Sequence, residues 1–381
     1  MKQKIGFIYF ARLDREKWFD AILDMIRRFG KENTEIPFEI FVFGNGAYAE
    51  ELKELTTKHK EVHYFGRQSL DTVKRYVNNC KYVLVPSTFL ETFWLTALTG
   101  ISRWLSAIGF KKWWLIPHIQ SDLDLTHAKW ETTAEKLYNI VKKITDPKFK
   151  LPHVEHNLKK YSIDTRKDTF IEMAGKNVKK ILLVSDFKNR VGGIETYLHD
   201  TKAILEDMGY EVDIFGSHLP RGKRGKIVKY AGMFAAICND WQAFRLKSLI
   251  RKKKPDLIRY HSVLRHLGRS TFWASKNLSA KKRMMYHDFW YVHPFPHALT
   301  DVRQINLPLT LKGFIKSANT KNPLKILAII FKFCSLSLLR RQFRRNVDFH
   351  LVPSQFMEDI IHKSYKISPS KIKTFTHFIQ D

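Results

Sequence analysis

Eleven short runs of β-branched and aromatic residues, separated by stretches of helical period, constrain this chain more than any other feature. In the first half they fall at 5–10, 38–43, 62–65, 82–85 and 105–108, and in the second at 180–184, 211–215, 257–260, 283–286, 349–352 and 372–375. A run that is apolar on both faces has to be covered on both faces, and helices between consecutive runs supply the crossovers that parallel strands need. Each set therefore predicts a parallel sheet between two helical layers. A chain of 381 residues, 44% of them apolar, exceeds one ordinary core and suffices for two. The expected class is α/β, with two Rossmann-like doubly wound domains.

The segment between the two sets is rich in charge, contains Pro152 and a helical stretch over 164–174, and holds too few apolar residues for a domain of its own. The expected division is a first domain at 1–150, a linker with a crossing helix at 151–178, and a second domain at 179–381.

The balance of 66 Lys+Arg against 37 Asp+Glu gives a net charge of +29, which implies an anionic partner: nucleic acid, lipid headgroups or a diphosphate-bearing substrate. The clusters Arg221-Gly222-Lys223-Arg224, Arg251-Lys252-Lys253-Lys254 and Arg340-Arg341-Gln342-Phe343-Arg344-Arg345 all lie in the second half. Each reads equally as a solvated face or as a membrane or substrate patch. No recognised nucleic-acid-binding module accompanies them, so nucleic acid is not an expected partner. Three widely spaced cysteines, without metal-ligand spacing, fit a reducing compartment, and the opening residues carry no secretory pattern. The longest apolar run, 326–339, is interrupted by Lys332 and is too short to span a bilayer. A buried helix is the expectation there, and a helix lying on a membrane surface the alternative.

Four constellations carry possible chemistry. Arg12 and Lys17 stand just past the first strand, at the end where ligands of open α/β sheets bind. Gly44-Asn45-Gly46 and Gly192-Gly193-Ile194-Glu195 are strand-to-helix turns whose glycines let backbone N–H groups approach a phosphate or sugar. A helix from about 196 to 208 is expected after the second of these. Pro86-Ser87-Thr88-Phe89-Leu90-Glu91-Thr92-Phe93 follows a strand and opens a helix. A carboxylate in that place can accept hydrogen bonds from vicinal sugar hydroxyls while the helix N-terminus holds diphosphate. Asp122-Leu123-Asp124 has the spacing of a metal motif but reads as a solvated turn, and no metal is expected.

These residues resemble the retaining glycosyltransferases of family four, glycosyl transferases group 1, over nearly the whole chain. The resemblance implies the GT-B architecture, two Rossmann-like domains facing across a cleft. The first half resembles the family's nucleotide-sugar domain through Arg12-Leu13, Lys17, Gly44-Asn45-Gly46, Pro86-Ser87 and Glu91-Thr92-Phe93. The second resembles its acceptor domain through Lys180-Ile181-Leu182-Leu183-Val184, Gly192-Gly193-Ile194-Glu195, His261, Tyr286-His287-Asp288 and Val352-Pro353-Ser354. Family members run acceptor domain first, so the order here is that of a circular permutation, or of two fused gene fragments. The tail Thr374-Phe375-Thr376-His377-Phe378 resembles the interdomain connection, with Lys4-Ile5-Gly6-Phe7 as its continuation, and the helix near 161–174 resembles the family's last.

Two departures stand out. The family's second glutamate, eight residues after the first, is matched by Thr99; a charge-assisted hydrogen bond of the kind lost is worth roughly 1.5–3 kcal/mol. Trp18, Trp94, Trp104, Trp113, Trp114 and Trp290 fall where the family has glycine. An indole at a turn needing positive φ or close ligand approach clashes with backbone and substrate. Six changes to one residue type are what UGA glycine codons read as tryptophan would produce.

The resemblance implies a glycosyltransferase moving a hexose from a nucleotide-diphosphate sugar to a glycan or lipid-linked glycan, with retention of configuration. It assigns catalytic roles to His287 and Glu91 and donor binding to Arg12, Lys17, Gly44, Gly46, Glu91, Thr92, Phe93 and the Thr99 position. The acceptor or phosphate turn is Gly192, Gly193, Glu195 and His261. No cofactor is implied beyond the nucleotide sugar as co-substrate. The expected place is the cytoplasm, peripheral on the inner membrane face in contact with acidic lipids. The rival reading is a catalytically weak or inactive scaffold of the same fold, motivated by Thr99 and the tryptophans.

Overall fold

The computed structural model describes residues 4–32, 35–86, 95–103, 105–109, 123–124, 130–149, 162–174, 177–190, 192–218, 239–264, 266–276, 278–294 and 309–375. The chain divides into two compact units, one built on Met1–Ser162 and one on Ile163–Thr376.

The first unit runs β1 (Ile5–Phe10), α1 (Phe19–Glu32), β2 (Phe38–Phe43), α2 (Ala49–Lys58), β3 (Val62–Tyr64), α3 (Leu70–Val77), β4 (Tyr82–Val85), α4 (Leu95–Ile101), β5 (Ser106–Gly109), β6 (Leu123–Asp124) and α5 (Trp130–Thr145). The strands are parallel, in the order β3-β2-β1-β4-β5-β6. Because strand side chains alternate, the sheet has a core on each face. Phe7, between Phe38 and Tyr82 at 5.2 Å each, centres one. Ile8, Phe43, Val77 and Val83 fill the other, where Phe43 stacks on Phe65 at 4.8 Å. Such ring pairs contribute about 1 kcal/mol each beyond their burial. Helix α1 forms because Phe19, Ile22, Leu23, Ile26 and Phe29 recur at helical spacing and bury together.

The second unit runs α6 (Ile163–Ala174), β7 (Lys180–Phe187), α7 (Gly193–Asp207), β8 (Glu211–Ser217), α8 (Asp240–Lys253), β9 (Leu257–Tyr260), α9 (Ser270–Ala274), β10 (Lys281–Met285), α10 (Leu311–Ser317), α11 (Pro323–Asn346), β11 (Phe349–Val352), α12 (Gln355–Tyr365) and β12 (Ile372–Thr374). Its parallel sheet has the order β8-β7-β9-β10-β11-β12. On one face Tyr260, Phe272, Tyr286, Phe343, His350 and Tyr365 pack ring against ring. On the other, Arg259 and Arg283 sit in register on neighbouring strands, both buried. Burial holds both guanidinium groups below their usual pKa, Arg283 at about 10 with the Arg259 charge adding to the effect. Aromatic faces cover them: Phe170 and Phe375 lie 5.7 and 5.9 Å from the Arg259 guanidinium, and Phe349 lies 5.7 Å from that of Arg283. Such contacts replace part of the hydration a buried cation gives up.

The expected strands are all present, with ends differing by up to three residues. Three local expectations change. The helix expected from 196 begins at Gly193, so the paired glycines are its first turn rather than a loop before it. Leu123–Asp124, expected as a solvated turn, pairs with β5 as a two-residue edge strand. The apolar run 326–339 lies inside the 24-residue helix α11, which buries Ile329, Leu336, Leu339 and Phe343 but exposes Leu324, Leu327, Phe331 and Leu338. Among the described residues, no helix is long and apolar enough to cross a membrane.

Candidate functional site

In each sheet the strand order reverses direction once, between β1 and β4 in the first unit and between β7 and β9 in the second. A crevice opens at the carboxyl ends of the strands at such a point.

In the first unit, the loop after β1 carries Arg12 and Lys17. Arg12 Nη1 donates to Asp14 Oδ2 at 2.7 Å, and half of its side chain remains exposed. Lys17 closes a short 3-10 turn, Arg15–Lys17. Gly44 and Gly46 press against this loop: a Cβ on Gly44 would stand 1.9 Å from the Ala11 carbonyl oxygen, and one on Gly46 2.4 Å from that of Leu13. Gly44 also has φ +139°, where an L side chain is strained. The backbone bonds Leu13 N–H to Asn45 O and Tyr48 N–H to Leu13 O close the contact. These glycines are thus required by backbone packing, which fixes the position of the arginine-bearing loop. Thr99 is buried in α4, and Thr96 Oγ1 of the same helix reaches the Phe10 carbonyl at the end of β1. Glu91, Thr92, Phe93 and Trp94, with Trp104, Trp113 and Trp114, lie outside the described residues.

Trp18 has φ +51° and ψ +39°, the left-handed conformation that glycine adopts without strain. Its indole is half-buried against both cores of the unit. Trp290 differs: it lies outside the left-handed region, in the 3-10 turn Phe289–Tyr291, where Asp288 Oδ1 accepts its N–H at 2.9 Å. The Lys332 ammonium lies 3.3 Å from its ring centroid and donates to the carbonyls of His293 and Pro294. The expectation of a positive-φ position holds for Trp18 and fails for Trp290.

In the second unit, His261 follows β9 and His287 follows β10, and the structure brings them together. His261 Nδ1 and His287 Nε2 are 2.9 Å apart with the rings stacked at 17°. One nitrogen donates and the other accepts, so the pair holds a single shared proton in that bond. His261 is fully buried, and the Tyr197 ring of α7 stands edge-on to His287 at 5.1 Å. Glu195, also buried, turns back so that its Oε2 accepts the Gly192 N–H at 2.9 Å, capping α7. A Cβ on Gly193 would meet nothing within 4 Å. Among the described residues no neighbour therefore requires glycine at 193, and at 192 the Cβ would meet only the Glu195 Oε2 at 3.3 Å.

Sequence reading missed Asp186, at the end of β7. Its buried carboxylate accepts from the His266 and Leu267 N–H groups at 2.8 Å and from Ser262 Oγ at 3.0 Å, tying the loop after β9 to β7. Tyr291 completes the tie, donating to the His261 carbonyl and accepting from the Val263 N–H. A polar residue closing an otherwise apolar strand, Val184-Ser185-Asp186-Phe187, was the signal available.

Two family models match: Glycosyltransferase Family 4 over 191–380 and Glycosyl transferases group 1 over 2–101. No curated protein matches the chain. Among solved structures, the chain is similar to the catalytic domain of cholesterol-alpha-glucosyltransferase from Helicobacter pylori, at 13% identity over 37% of this chain and 87% of that one, TM-score 0.26. The pneumococcal O-GlcNAc transferase GtfA, solved with UDP and GlcNAc, is 18% identical over 37% of this chain and 30% of its own, TM-score 0.27. The E. coli heptosyltransferase WaaC is 8% identical over 74% and 89%, TM-score 0.23.

Proposed function

On the premise that the two halves of this chain belong to glycosyltransferase families, group 1 in the first and family 4 in the second, we propose that it moves a hexose from a nucleotide-diphosphate sugar to a glycan or lipid-linked glycan with retention of configuration. The observation that carries this reading is the His261–His287 pair at the point where the second sheet reverses, beside a helix that begins at a sterically open Gly193. The bond between the rings fixes the orientation of His287 at the strand ends, and a backbone turn free of side chain admits a ligand to a helix N-terminus.

In this mechanism the first unit holds the donor. Arg12 and Lys17 face the diphosphate, whose charge grows as the glycosidic bond breaks and is stabilised by cations already in place. Glu91 and Thr92 receive the donor sugar. The leaving phosphate assists removal of the acceptor proton, so retention needs neither a protein nucleophile nor a metal. His287 serves the sugar undergoing transfer, in the tautomer and orientation set by His261. The half order is that of a circular permutation, supported by the group 1 match preceding the family 4 match.

The acceptor half offers surfaces suited to an acidic lipid layer at the cytoplasmic membrane face. On α11, Leu324, Leu327 and Phe331 are exposed alongside Lys325, and on α8 and α9 Trp241, Phe244 and Trp273 are exposed with the Lys247 ammonium 5.0 Å from the Trp273 ring.

The direct test is turnover of a panel of nucleotide sugars by the whole chain, with the anomeric configuration of the product read by NMR. Transfer with retention from one donor is the expected result; inversion, or no turnover of any donor in the presence of glycan and lipid-linked acceptors, overturns the proposal.

A further inference from the structure

A cavity of about 390 Å³ lies at the carboxyl ends of β7 and β8 and is lined by Lys188, Gly216, Ser217, His218, Gln242, Arg245 and His266. None of these is among the residues that the family resemblance singles out. Lys188 follows β7 directly, and its carbonyl accepts from His199 Nε2 at 2.7 Å, which fixes the loop to α7. Gln242 on α8 is buried; its Nε2 donates to Ser217 Oγ at 3.0 Å and its Oε1 accepts from Arg245 Nη1 at 3.2 Å. His266 is held by its backbone N–H on Asp186. The wall is therefore built rather than incidental, each element being tied to a strand end.

Its charge is one-sided. Among the described residues no carboxylate lines the cavity, and neither Lys188 nor Arg245 forms an ion pair. Elsewhere in the unit cations do find acids: Arg190 meets Asp200, Lys202 meets Glu206, and Lys253 meets Asp213. Asp186, the carboxylate beneath the loop, has its oxygens engaged by two backbone N–H groups and a hydroxyl. A guanidinium, an ammonium, two imidazoles, a serine hydroxyl and two strand-end backbone segments match a tetrahedral oxyanion, since cations and N–H or O–H donors all point to acceptor oxygens. The volume exceeds that of one phosphate and admits an attached sugar ring.

We propose that this cavity binds a phosphoryl group carried by the acceptor, so that the acceptor is a sugar phosphate or a lipid-linked sugar phosphate rather than a neutral glycan. The proposal rests on the second unit being the acceptor half. It adds the substrate class: the cavity opens at the same edge of the sheet as His261 and the Gly192–Gly193 turn, so an acceptor anchored by its phosphate extends along the edge where transfer takes place.

The test titrates the whole chain by calorimetry with inorganic phosphate, glucose 6-phosphate and glucose, and by flotation with vesicles containing a polyprenyl diphosphate or lacking it. Phosphate and glucose 6-phosphate are expected to bind and glucose not to. The double variant K188Q/R245Q loses at least roughly tenfold in phosphate affinity, the scale of removing charge-assisted hydrogen bonds, while its unfolding midpoint and its affinity for nucleoside diphosphates stay unchanged. Glucose 6-phosphate binding far more tightly than inorganic phosphate points to a soluble acceptor, and polyprenyl-dependent flotation that K188Q/R245Q abolishes points to a lipid-linked one. Phosphate binding that the double variant retains, or none in the native chain, overturns the proposal. The reading of the chain as a transferase is judged separately: turnover of a nucleotide sugar onto neutral glycans with no phosphate binding sinks the cavity alone, and phosphate binding without turnover of any donor sinks the transferase reading and with it the assignment of the phosphate to an acceptor.

Discussion

His261 Nδ1 and His287 Nε2 share one hydrogen bond of 2.9 Å between a fully buried ring and a partly exposed one. The buried ring touches no acceptor directly in the proposed reaction and acts through its partner. His287→Ala is expected to lower turnover of the best donor by about 10²-fold or more, the usual scale for removing one preorganised hydrogen bond to a transition state. His261→Ala should cost less, and the double variant should be no slower than His287→Ala alone, because residues acting through one another are not additive. Multiplicative losses in steady-state kinetics would refute the coupling.

Trp18 occupies a left-handed turn between the 3-10 turn and α1. Trp18→Ala and Trp18→Gly both remove the indole, but only alanine keeps the backbone strain, about 1 kcal/mol for a left-handed L residue. The glycine variant should therefore be the more stable of the two by about that amount in urea unfolding. Equal stabilities would remove the case for a glycine-type position. Reading the codon at 18 for UGA or UGG tests the recoding idea independently.

Gly44 and Gly193 make opposite predictions. A methyl group on Gly44 collides with a backbone carbonyl at 1.9 Å in a conformation already unfavourable for it, so Gly44→Ala should destabilise the first unit by about 3 kcal/mol. Gly193→Ala meets open space, and its unfolding midpoint should match the native chain's. If Gly193→Ala alters neither stability nor acceptor affinity, the turn has no ligand to admit.

His350 is buried, with Nδ1 paired to the Tyr286 hydroxyl and Nε2 to the Phe343 carbonyl. Burial lowers its pKa from 6.5 to about 4. Below pH 6.5 the unfolded chain takes up a proton that the folded chain refuses. This contribution is therefore complete above pH 6.5 and lost as the pH falls toward 4, by up to about 3 kcal/mol. His350→Phe starts from lower stability, having lost the tyrosine contact, but should shed about 2 kcal/mol less than the native chain between pH 7.5 and 5. Parallel pH profiles in urea unfolding would show that another group governs acid sensitivity.

Leu324, Leu327 and Phe331 project from α11. Replacing all three with serine should leave thermal unfolding within a few degrees of the native value, since exposed residues carry little of the core. Flotation on vesicles rich in anionic lipid should fall markedly, and persistence of flotation would shift attention to Trp241, Phe244 and Trp273.

Much of the fold could be read from period alone. The runs at 5–10 and 82–85 are uninterrupted by polar side chains, and the others set aliphatic and aromatic residues around one or two polar ones such as Glu39, Asp213, Arg259 and His350, which is the signature a mostly buried parallel strand leaves wherever it lies. What escaped was structure made by partners. Leu123–Asp124 is too short to carry a period and is a strand only because Ile108 and Gly109 pair with it. Glycine ordinarily ends or precedes helices, which puts the expected start of α7 near Thr196, but the Glu195 carboxylate supplies the missing cap from inside the helix. The glycine pair at 44 and 46 reads in sequence as a phosphate turn; its packing against Ala11 and Leu13, each 33 residues earlier, is linked by no sequence pattern and shows only in the fold. His261 and His287 were each visible as strand-end histidines, and their hydrogen bond was not, since nothing in 26 residues of separation reports that β9 and β10 are neighbours in register.

Phe170 reaches from α6 to the same buried Arg259 that Phe375 covers from the other end of the unit, and the two rings meet at 4.9 Å. The helix before β7 is thus part of what keeps that guanidinium out of water. Any recombination that exchanges the second half between related genes must carry the codons of α6 along with it. A crossover placed at Lys180, the apparent start of the sheet, would strip one aromatic lid from a charge with no acid paired to it among the described residues, and selection should favour breakpoints upstream of Ile163.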